Sequence, residues 1–289
     1  MTLPPEIQSL YPFEPHFLDL DGVQYHYVDE GQGEPILMVH GNPTWSFYYR
    51  ELVNAFSPNH RVVVPDHIGC GLSDKPQSYD YLLRQHIDNL ERLVLELDLR
   101  DITLVVHDWG GPIGLGVAVR HHDRFSRLVI TNTAAFTSKH MPWLLHLCRI
   151  PWLGALLIRG LNAFAGLCPV LAVADRSRIT PDIRKGYLYP YDSWANRIAT
   201  HRFVQDIPMD PTHPSWPALL TLEKDLPCLA DLPVQIFWGE KDWVFTPRYI
   251  SRFQEYFPDA QVHRFSEAGH LVVEEAFERI IPRMRDFLE

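Results

Sequence analysis

Residues 104–111 of this 289-residue chain read Leu104-Val105-Val106-His107-Asp108-Trp109-Gly110-Gly111. A short β-branched run leads to a carboxylate, and two glycines and a helix-like segment, 112–120, follow. Strand, sharp turn and helix form the context of a nucleophile elbow, which exposes a nucleophilic side chain at the top of a sheet. Asp108 stands where this motif more often has serine, and Val106 where it has its first glycine. In isolation Asp108 could equally cap the following helix, so the interpretation depends on the rest of the chain.

The composition is that of an ordinary globular protein, with 46% hydrophobic and 21% charged residues. It suits one large α/β domain or a domain with an insertion. The net charge is −10 and no run of Lys or Arg indicates a nucleic-acid-binding surface, so we expect no nucleic-acid partner. The four cysteines form no Cys-x-x-Cys pair, and residues 1–16 have no basic segment followed by an apolar run. We therefore expect reduced thiols, no signal peptide and a cytoplasmic location.

Predicted strands alternate with predicted helices in the first half of the chain. Apolar runs without alternation, such as residues 35–40, indicate strands buried on both faces of a sheet. The spacing of apolar residues over 79–97 is typical of a helix. This alternation favours a mostly parallel sheet flanked by helices. The predicted strands are residues 16–20, 23–28, 35–40, 60–65, 104–108, 127–131, 234–239 and 261–265.

The alternation stops after Asn132 and returns at residue 234. Between them lie helical segments that are repeatedly broken by proline and glycine, with no clean strand. We predict a core domain formed by residues 1–133 and 215–289, with a helical cap domain of residues 134–214 inserted into it. Residues 141–174 are strongly apolar, but Arg149 and Arg159 leave less than the roughly 18 uninterrupted apolar residues that a membrane span needs. A lid over an apolar pocket is the favoured interpretation, and part of it could touch a membrane surface or a partner chain.

Two further stretches complete a candidate catalytic set. Asp242 closely follows one predicted strand, and His270 closely follows the last one. The order nucleophile, acid, histidine is then Asp108, Asp242 and His270, and each lies near the carboxyl end of a strand, where open α/β sheets build their sites. Asp242 alone could cap a helix and His270 alone could be structural. Together with Asp108 they predict a catalytic triad.

Four motifs resemble the haloalkane dehalogenase group of α/β-hydrolases: residues 40–45, residues 65–76, the Asp108 elbow and residues 268–270. The resemblance covers the whole chain and implies the α/β-hydrolase fold, with a mostly parallel central sheet and an inserted helical cap. In that group the acid follows either the sixth or the seventh strand. Because Asn132 occupies the earlier position, Asp242 is the candidate acid.

Segments in and next to the cap, residues 132–136, 190–197 and 202–209, are similar to the β-lactone decarboxylases of bacterial long-chain olefin biosynthesis. Those enzymes closely resemble one dehalogenase subgroup. The resemblance is compatible with a homo-oligomer, or with an assembly with other olefin-pathway enzymes in a membrane-peripheral location. Three polar residues of these segments could form a network internal to the cap and have no role at the site: Asp192, Asn196 and Arg197.

An aspartate nucleophile suits attack on an sp³ carbon, which gives an enzyme ester. His270 would activate the water that cleaves the ester, with Asp242 orienting the imidazole. The backbone N–H groups of Asn42 and Trp109 would form the oxyanion hole, and their side chains could hold a departing halide, lactone oxygen or carboxylate. Trp109 could instead be a core residue, and Asn42 a turn residue before Pro43.

The resemblance implies decarboxylation of long-chain cis-β-lactones to cis-alkenes and CO₂, with a covalent step at Asp108. Attack on the ring sp³ carbon or on the carbonyl carbon both remain open. The alternative is haloalkane dehalogenation, which converts a haloalkane and water to an alcohol and a halide. Either substrate is small and apolar, and neither path requires a metal or an organic cofactor. The sequence has no metal-ligand cluster or glycine-rich phosphate loop.

Three further functions compete with these. An epoxide hydrolase shares the aspartate nucleophile and needs acidic hydroxyls in the cap, for which Tyr187, Tyr189 and Tyr191 are candidates. A carboxylesterase is disfavoured because the elbow has no serine. A catalytically silent binding protein is disfavoured by the intact set of Asp108, Asp242 and His270.

Overall fold

A single eight-stranded sheet organises the computed structural model, which describes residues 3–289. Its strand order is β1-β2-β4-β3-β5-β6-β7-β8. Strands β1, β2 and β4 pair antiparallel, and every other neighbouring pair is parallel, so the predicted mostly parallel sheet is confirmed. The strands are β1 (His16–Asp19), β2 (Gln24–Glu30), β3 (Pro35–Val39), β4 (Arg61–Pro65), β5 (Ile102–Asp108), β6 (Phe125–Thr133), β7 (Val234–Gly239) and β8 (Gln261–Phe265).

Helices cover both faces of this sheet. Alternate residues of β5 serve the two faces: Leu104 and Val106 belong to one hydrophobic cluster, and Val105 belongs to the other. This explains the unbroken apolar run, because a central strand buried on both sides has no face left for water. The helices of the core are α1 (Pro5–Gln8), α2 (Arg50–Phe56), α3 (Leu83–Glu96), α4 (Gly110–Arg120), α10 (Trp216–Asp225), α11 (Arg248–Tyr256) and α12 (Val272–Leu288).

The segment between β6 and α10 is helical throughout its regular parts. Its helices are α5 (Trp143–Arg149), α6 (Pro151–Gly154), α7 (Ala163–Leu171), α8 (Pro181–Leu188) and α9 (Ile198–Gln205). Helix α6 continues directly as a π-helical segment, Ala155–Gly160. Within residues 3–289 no single helix has the length and hydropathy to cross a membrane. Pro151–Gly160 and Ala163–Leu171 meet the test only as a pair, bent by 73°.

Asp206 joins the end of α9 to the beginning of α3. Its carboxylate accepts hydrogen bonds from the backbone N–H of Leu83 at 2.8 Å and from the hydroxyl of Ser215 at 2.6 Å. Burial raises the pKa of Asp206 to about 7, although both hydrogen bonds oppose the shift. An unfolded aspartate has a pKa of about 4, so the folded state binds the extra proton between these values. The stability due to that proton is lost as the pH rises through about 7.

Asp206→Asn is therefore expected to raise the melting temperature at pH 8 and to change it little at pH 5. The amide keeps an acceptor for Leu83 and removes a buried charge that is present only at the higher pH. Thermal unfolding at the two pH values measures the effect, and Asp231→Asn, at an exposed aspartate, is the matched control. An equal gain at both pH values would contradict the argument.

Candidate active site

Asp108 ends β5 and is followed at once by α4. Its φ of +49° lies in the left-handed region, which makes the turn sharp. The two glycines after Trp109 allow the turn to pack closely: a Cβ on Gly110 would lie 1.9 Å from the carbonyl oxygen of Val39, and one on Gly111 equally close to Thr133 Oγ1. The local sequence therefore forms the strand-turn-helix that the elbow motif predicts.

The structure brings the three predicted triad residues together in a buried site. His270 lies between β8 and α12, and its Nδ1 is 2.8 Å from Asp242 Oδ2 in the loop after β7. Its Nε2 faces Asp108 Oδ2 at 3.8 Å. The backbone N–H of His270 donates to the carbonyl of Ala172, at 2.7 Å, so a residue of the helical insertion holds the histidine loop.

The charges of these groups are strongly coupled. Burial lowers the pKa of His270, but the Asp242 and Asp108 carboxylates outweigh burial and leave that pKa above its ordinary value. Burial raises the pKa of Asp108, against the opposing effect of His270 and of two backbone N–H groups. Burial, with help from both carboxylates, also raises the pKa of the nearby Cys168 thiol to about 12. Cys168 therefore stays a neutral thiol and does not compete as a nucleophile.

The backbone donors predicted to form an oxyanion hole both act on the Asp108 carboxylate itself. Asn42 N–H donates to Asp108 Oδ1 at 2.7 Å, and the backbone N–H of Trp109 also lowers the pKa of this carboxylate. The Asn42 side chain is anchored elsewhere, because Nδ2 donates to the carbonyl of Thr200 at 3.1 Å. One Nδ2 hydrogen remains for a ligand, and Trp109 lines the adjoining cavity.

A cavity of about 310 Å³ lies over Asp108. Asn42, Asp108, Trp109 and His270 form its polar floor. Apolar side chains from the helical insertion and from the loops after β6 and β7 form most of the remaining wall, among them Phe136, Leu144, Leu145, Leu157, Phe164, Leu167, Val204, Met209 and Phe245. Such a wall excludes water and strengthens every electrostatic interaction at the floor.

Asn132 has a role that the sequence did not reveal. Its Nδ2 donates to Asp242 Oδ2 at 2.9 Å and to the carbonyl of Gly239 at 3.1 Å, and its Oδ1 accepts from Gly239 N–H at 2.8 Å. Asp242 Oδ1 accepts from Val244 N–H, so both acid oxygens are held. The sequence placed Asn132 at the alternative acid position, near the end of β6, but it did not show the contact with Asp242, which follows the neighbouring strand β7.

Asn132→Asp is expected to lower kcat roughly 10–100-fold, because it replaces a donor to Asp242 by a second carboxylate. Aspartate tolerates the φ of +25° at this position. The added negative charge raises the pKa values of His270 and Asp108, so the acidic limb of the pH–kcat profile should move to higher pH. Asn162→Asp, at another left-handed asparagine that contacts no triad residue, is the control. An unmoved acidic limb would show that Asn132 is only a packing residue.

The other polar candidates lie away from the nucleophile. Asn196 Nδ2 donates to Asp192 Oδ1 at 2.7 Å, and Arg197 donates to backbone carbonyls of Tyr191 and Arg159. These contacts form the network internal to the insertion that the sequence left open. The three candidate tyrosines of an epoxide hydrolase do not line the cavity: Tyr187 donates to Glu274, Tyr191 donates to the carbonyl of Thr44, and Tyr189 also lies outside the lining. Their positions therefore disfavour an epoxide hydrolase. No group of three His, Cys, Asp or Glu side chains within residues 3–289 has metal-binding geometry.

Known proteins resemble this chain in sequence and in fold. Residues 34–277 match the model of the alpha/beta hydrolase fold family. A cis-3-alkyl-4-alkyloxetan-2-one decarboxylase from Shewanella oneidensis is 47% identical over 98% of this chain and 90% of its own length. Haloalkane dehalogenase 2 from Mycobacterium bovis is 33% identical over 94% of each chain. The solved structure of the tetrameric haloalkane dehalogenase DpaA from Paraglaciecola agarilytica superposes with a TM-score of 0.82 at 26% identity, covering 98% of this chain and 96% of its own.

Proposed function

The chain belongs to the alpha/beta hydrolase family, and we propose that it decarboxylates cis-3,4-dialkyl β-lactones to cis-alkenes and CO₂, with Asp108 as nucleophile. An oxetan-2-one is a β-lactone, so the relative at 47% identity is named for this substrate class. The proposal rests on the similarity to this relative, together with the aspartate at the floor of an apolar cavity. The wall of the cavity suits two alkyl chains.

The position of the Asp108 carboxylate favours attack on the ring sp³ carbon that bears the lactone oxygen. The backbone N–H of Asn42 holds its Oδ1, which leaves Oδ2 on the side of His270 and the cavity. Oδ2 forms a bond to the ring carbon while the ring C–O bond breaks. The products of this step are an enzyme ester and a free carboxylate on the neighbouring carbon, and no proton is gained or lost.

The ester then collapses without water. The carboxylate leaves as CO₂, its C–C bond electrons form the alkene, and the ester C–O bond breaks to restore the Asp108 carboxylate. An apolar wall favours this step, because a poorly solvated carboxylate loses CO₂ more easily. Inversion in the first step followed by anti elimination in the second converts a cis-lactone to a cis-alkene.

The remaining polar groups stabilise charge during the reaction. The Trp109 indole and the free Asn42 Nδ2 hydrogen bind the carboxylate released from the ring. His270, oriented by Asp242, faces Asp108, and the two carboxylates that raise its pKa favour its protonated form. The same donors suit a halide, and His270 as a base would then hydrolyse an alkyl ester, so haloalkane dehalogenation is the second candidate.

The test supplies the purified protein with a cis-3,4-dialkyl β-lactone and, separately, with a 1-bromoalkane. We expect cis-alkene and CO₂ in equal amounts from the lactone. Formation of a β-hydroxy acid, or bromide release with no alkene from the lactone, would contradict the proposal. In H₂¹⁸O, repeated lactone turnover should leave Asp108 unlabelled, whereas ester hydrolysis would place ¹⁸O in its carboxylate. Mass spectrometry of the peptide containing Asp108 separates these results.

The substrate is a small apolar molecule, in keeping with the family. The expected homo-oligomer, the assembly with other olefin-pathway enzymes and the cytoplasmic location stay predictions, as do the domain boundaries at 133/134 and 214/215. Light scattering of the purified chain, alone and mixed with candidate partner enzymes, measures its assembly.

A further inference from the structure

The helical insertion has an exposed apolar surface that the proposed reaction does not use. Trp143 and Trp152 are 74% and 72% exposed. Leu147, Leu156 and Leu161 are exposed as well, and none of the five lines the cavity. We call these five residues the cap face. Large apolar side chains concentrated in this way indicate an interaction surface, whereas single exposed ones need no explanation.

The residues of the cap face lie on the same side of the insertion. Trp143 and Leu147 are one turn apart on α5, and Trp152 and Leu156 are one turn apart on the next helical segment. The opposite sides of these two segments place Cys148 and Ile158 in one buried cluster with Val204 of α9. Because both helices turn their buried sides towards the same cluster, their exposed sides point outwards together.

The stretch of sequence that carries the cap face is basic in an otherwise acidic protein. Residues 124–174 contain no Asp or Glu, although the chain has a net charge of −10. Lys139, Arg149 and Arg159 lie within the same stretch, and of these Arg149 has the carboxylates of Asp206 and Asp210 as neighbours. The Arg159 guanidinium donates only to neutral groups, Gln77 Oε1 and the carbonyl of Trp194. Exposed tryptophans beside a cation that, like Arg159, has neutral partners are typical of proteins that bind anionic lipid surfaces.

Residues that follow the cap face in sequence form an exposed part of the cavity lining. Helix α7 begins just after Leu161 and contributes Leu167 and Leu171, which are exposed and also line the cavity. Trp243, on the loop after β7, is likewise exposed and lines the cavity. An apolar rim of this kind allows an apolar molecule to pass from a lipid phase to Asp108 without crossing water.

We propose that the cap face docks on the surface of an anionic lipid bilayer, and that substrate enters the cavity from the lipid past Leu167, Leu171 and Trp243. Docking stands independently of the reaction, whereas substrate entry rests on the proposed function. A second copy of this chain is a poorer occupant. In a symmetric dimer the cap face would meet itself, and the stretch that carries it, residues 124–174, has cations but no Asp or Glu to pair with them across the interface.

Vesicle flotation of the full-length protein tests docking. We expect binding to vesicles of phosphatidylcholine mixed with phosphatidylglycerol, weaker binding to phosphatidylcholine alone, and weakening by salt. The double variant Trp143→Gln/Trp152→Gln should lose binding by about tenfold or more. Phe17→Gln, at an aromatic residue that is 48% exposed on β1, should bind as the wild type does. All proteins should keep the same kcat on a short-chain lactone in solution.

Several results would overturn docking: no wild-type binding to either vesicle, or equal binding by the double variant. A wild-type oligomer that dissociates in the double variant, with no vesicle binding, would show instead that the cap face is an interface between copies. If the wild type binds vesicles but forms no alkene, docking stands and the proposed function fails. For substrate entry, the double variant should be slower than the wild type only on lactone embedded in anionic vesicles.

Discussion

Asp108→Asn is expected to lower turnover by about 10⁴-fold or more, on lactone and on bromoalkane alike. An amide is a poor nucleophile, and both the lactone and the haloalkane path begin with attack by the Asp108 carboxylate. The change should act on the chemical step, so kcat falls and substrate binding to the apolar wall is retained. Product formation followed by gas chromatography and by halide release measures the loss.

The variant is suited to this test because asparagine tolerates the φ of +49° at residue 108. It also removes a buried charge whose pKa burial has raised, so we expect a melting temperature no lower than that of the wild type. Asp101→Asn, at an exposed aspartate with a φ of +55°, should retain full activity and is the matched control. Full activity in Asp108→Asn, with the amide verified by mass spectrometry, would exclude the nucleophile assignment.

His270→Gln is expected to lower steady-state turnover of a bromoalkane by roughly 10²–10⁴-fold and to trap its ester. Alkylation of Asp108 needs no base, whereas attack of water on the ester does. One equivalent of bromide should be released, and intact-protein mass spectrometry should show an added alkyl group less one hydrogen. With the lactone no ester should accumulate, because its collapse consumes no water.

Two variants make this result interpretable. His122→Gln, at an exposed histidine, should behave as the wild type does with both substrates. Adding Asp108→Asn to His270→Gln should abolish the adduct and so locate it on Asp108. Sustained bromide release by His270→Gln would show that His270 is not the base for ester hydrolysis. A persistent adduct from the lactone would show that its second step needs His270 or water.

The sequence predicted the architecture well because its signals are local. The apolar run predicts strand β5. The elbow is predicted by a carboxylate and the two glycines that soon follow it, which are required because they pack closely against Val39 and Thr133. The predicted ends of helices were less accurate. The helix predicted over residues 79–97 begins only at Leu83, whose backbone N–H donates to Asp206 from a distant segment. No pattern near residue 83 contains that contact.

The comparisons confirm the family that the motifs indicated, and the relatives include the decarboxylase and the dehalogenase names that the sequence could not separate cleanly. The parallel sheet explains why the chain order of Asp108, Asp242 and His270 was informative. The carboxyl ends of neighbouring parallel strands meet at one edge, so a residue that ends β5 and residues that follow β7 and β8 converge there.

The sequence by itself determined the strand-turn-helix at Asp108, the parallel sheet and the residues at its active edge, because periodicity, turn chemistry and strand order are written along the chain. Only the tertiary structure decided that Asn132 holds Asp242, that the Asn42 N–H binds Asp108 itself, and that side chains of the helical insertion form a wall over Asp108. Each of these depends on contacts between segments far apart in sequence, such as the 110 positions between Asn132 and Asp242. Such contacts form only when the sheet and the helical insertion pack together.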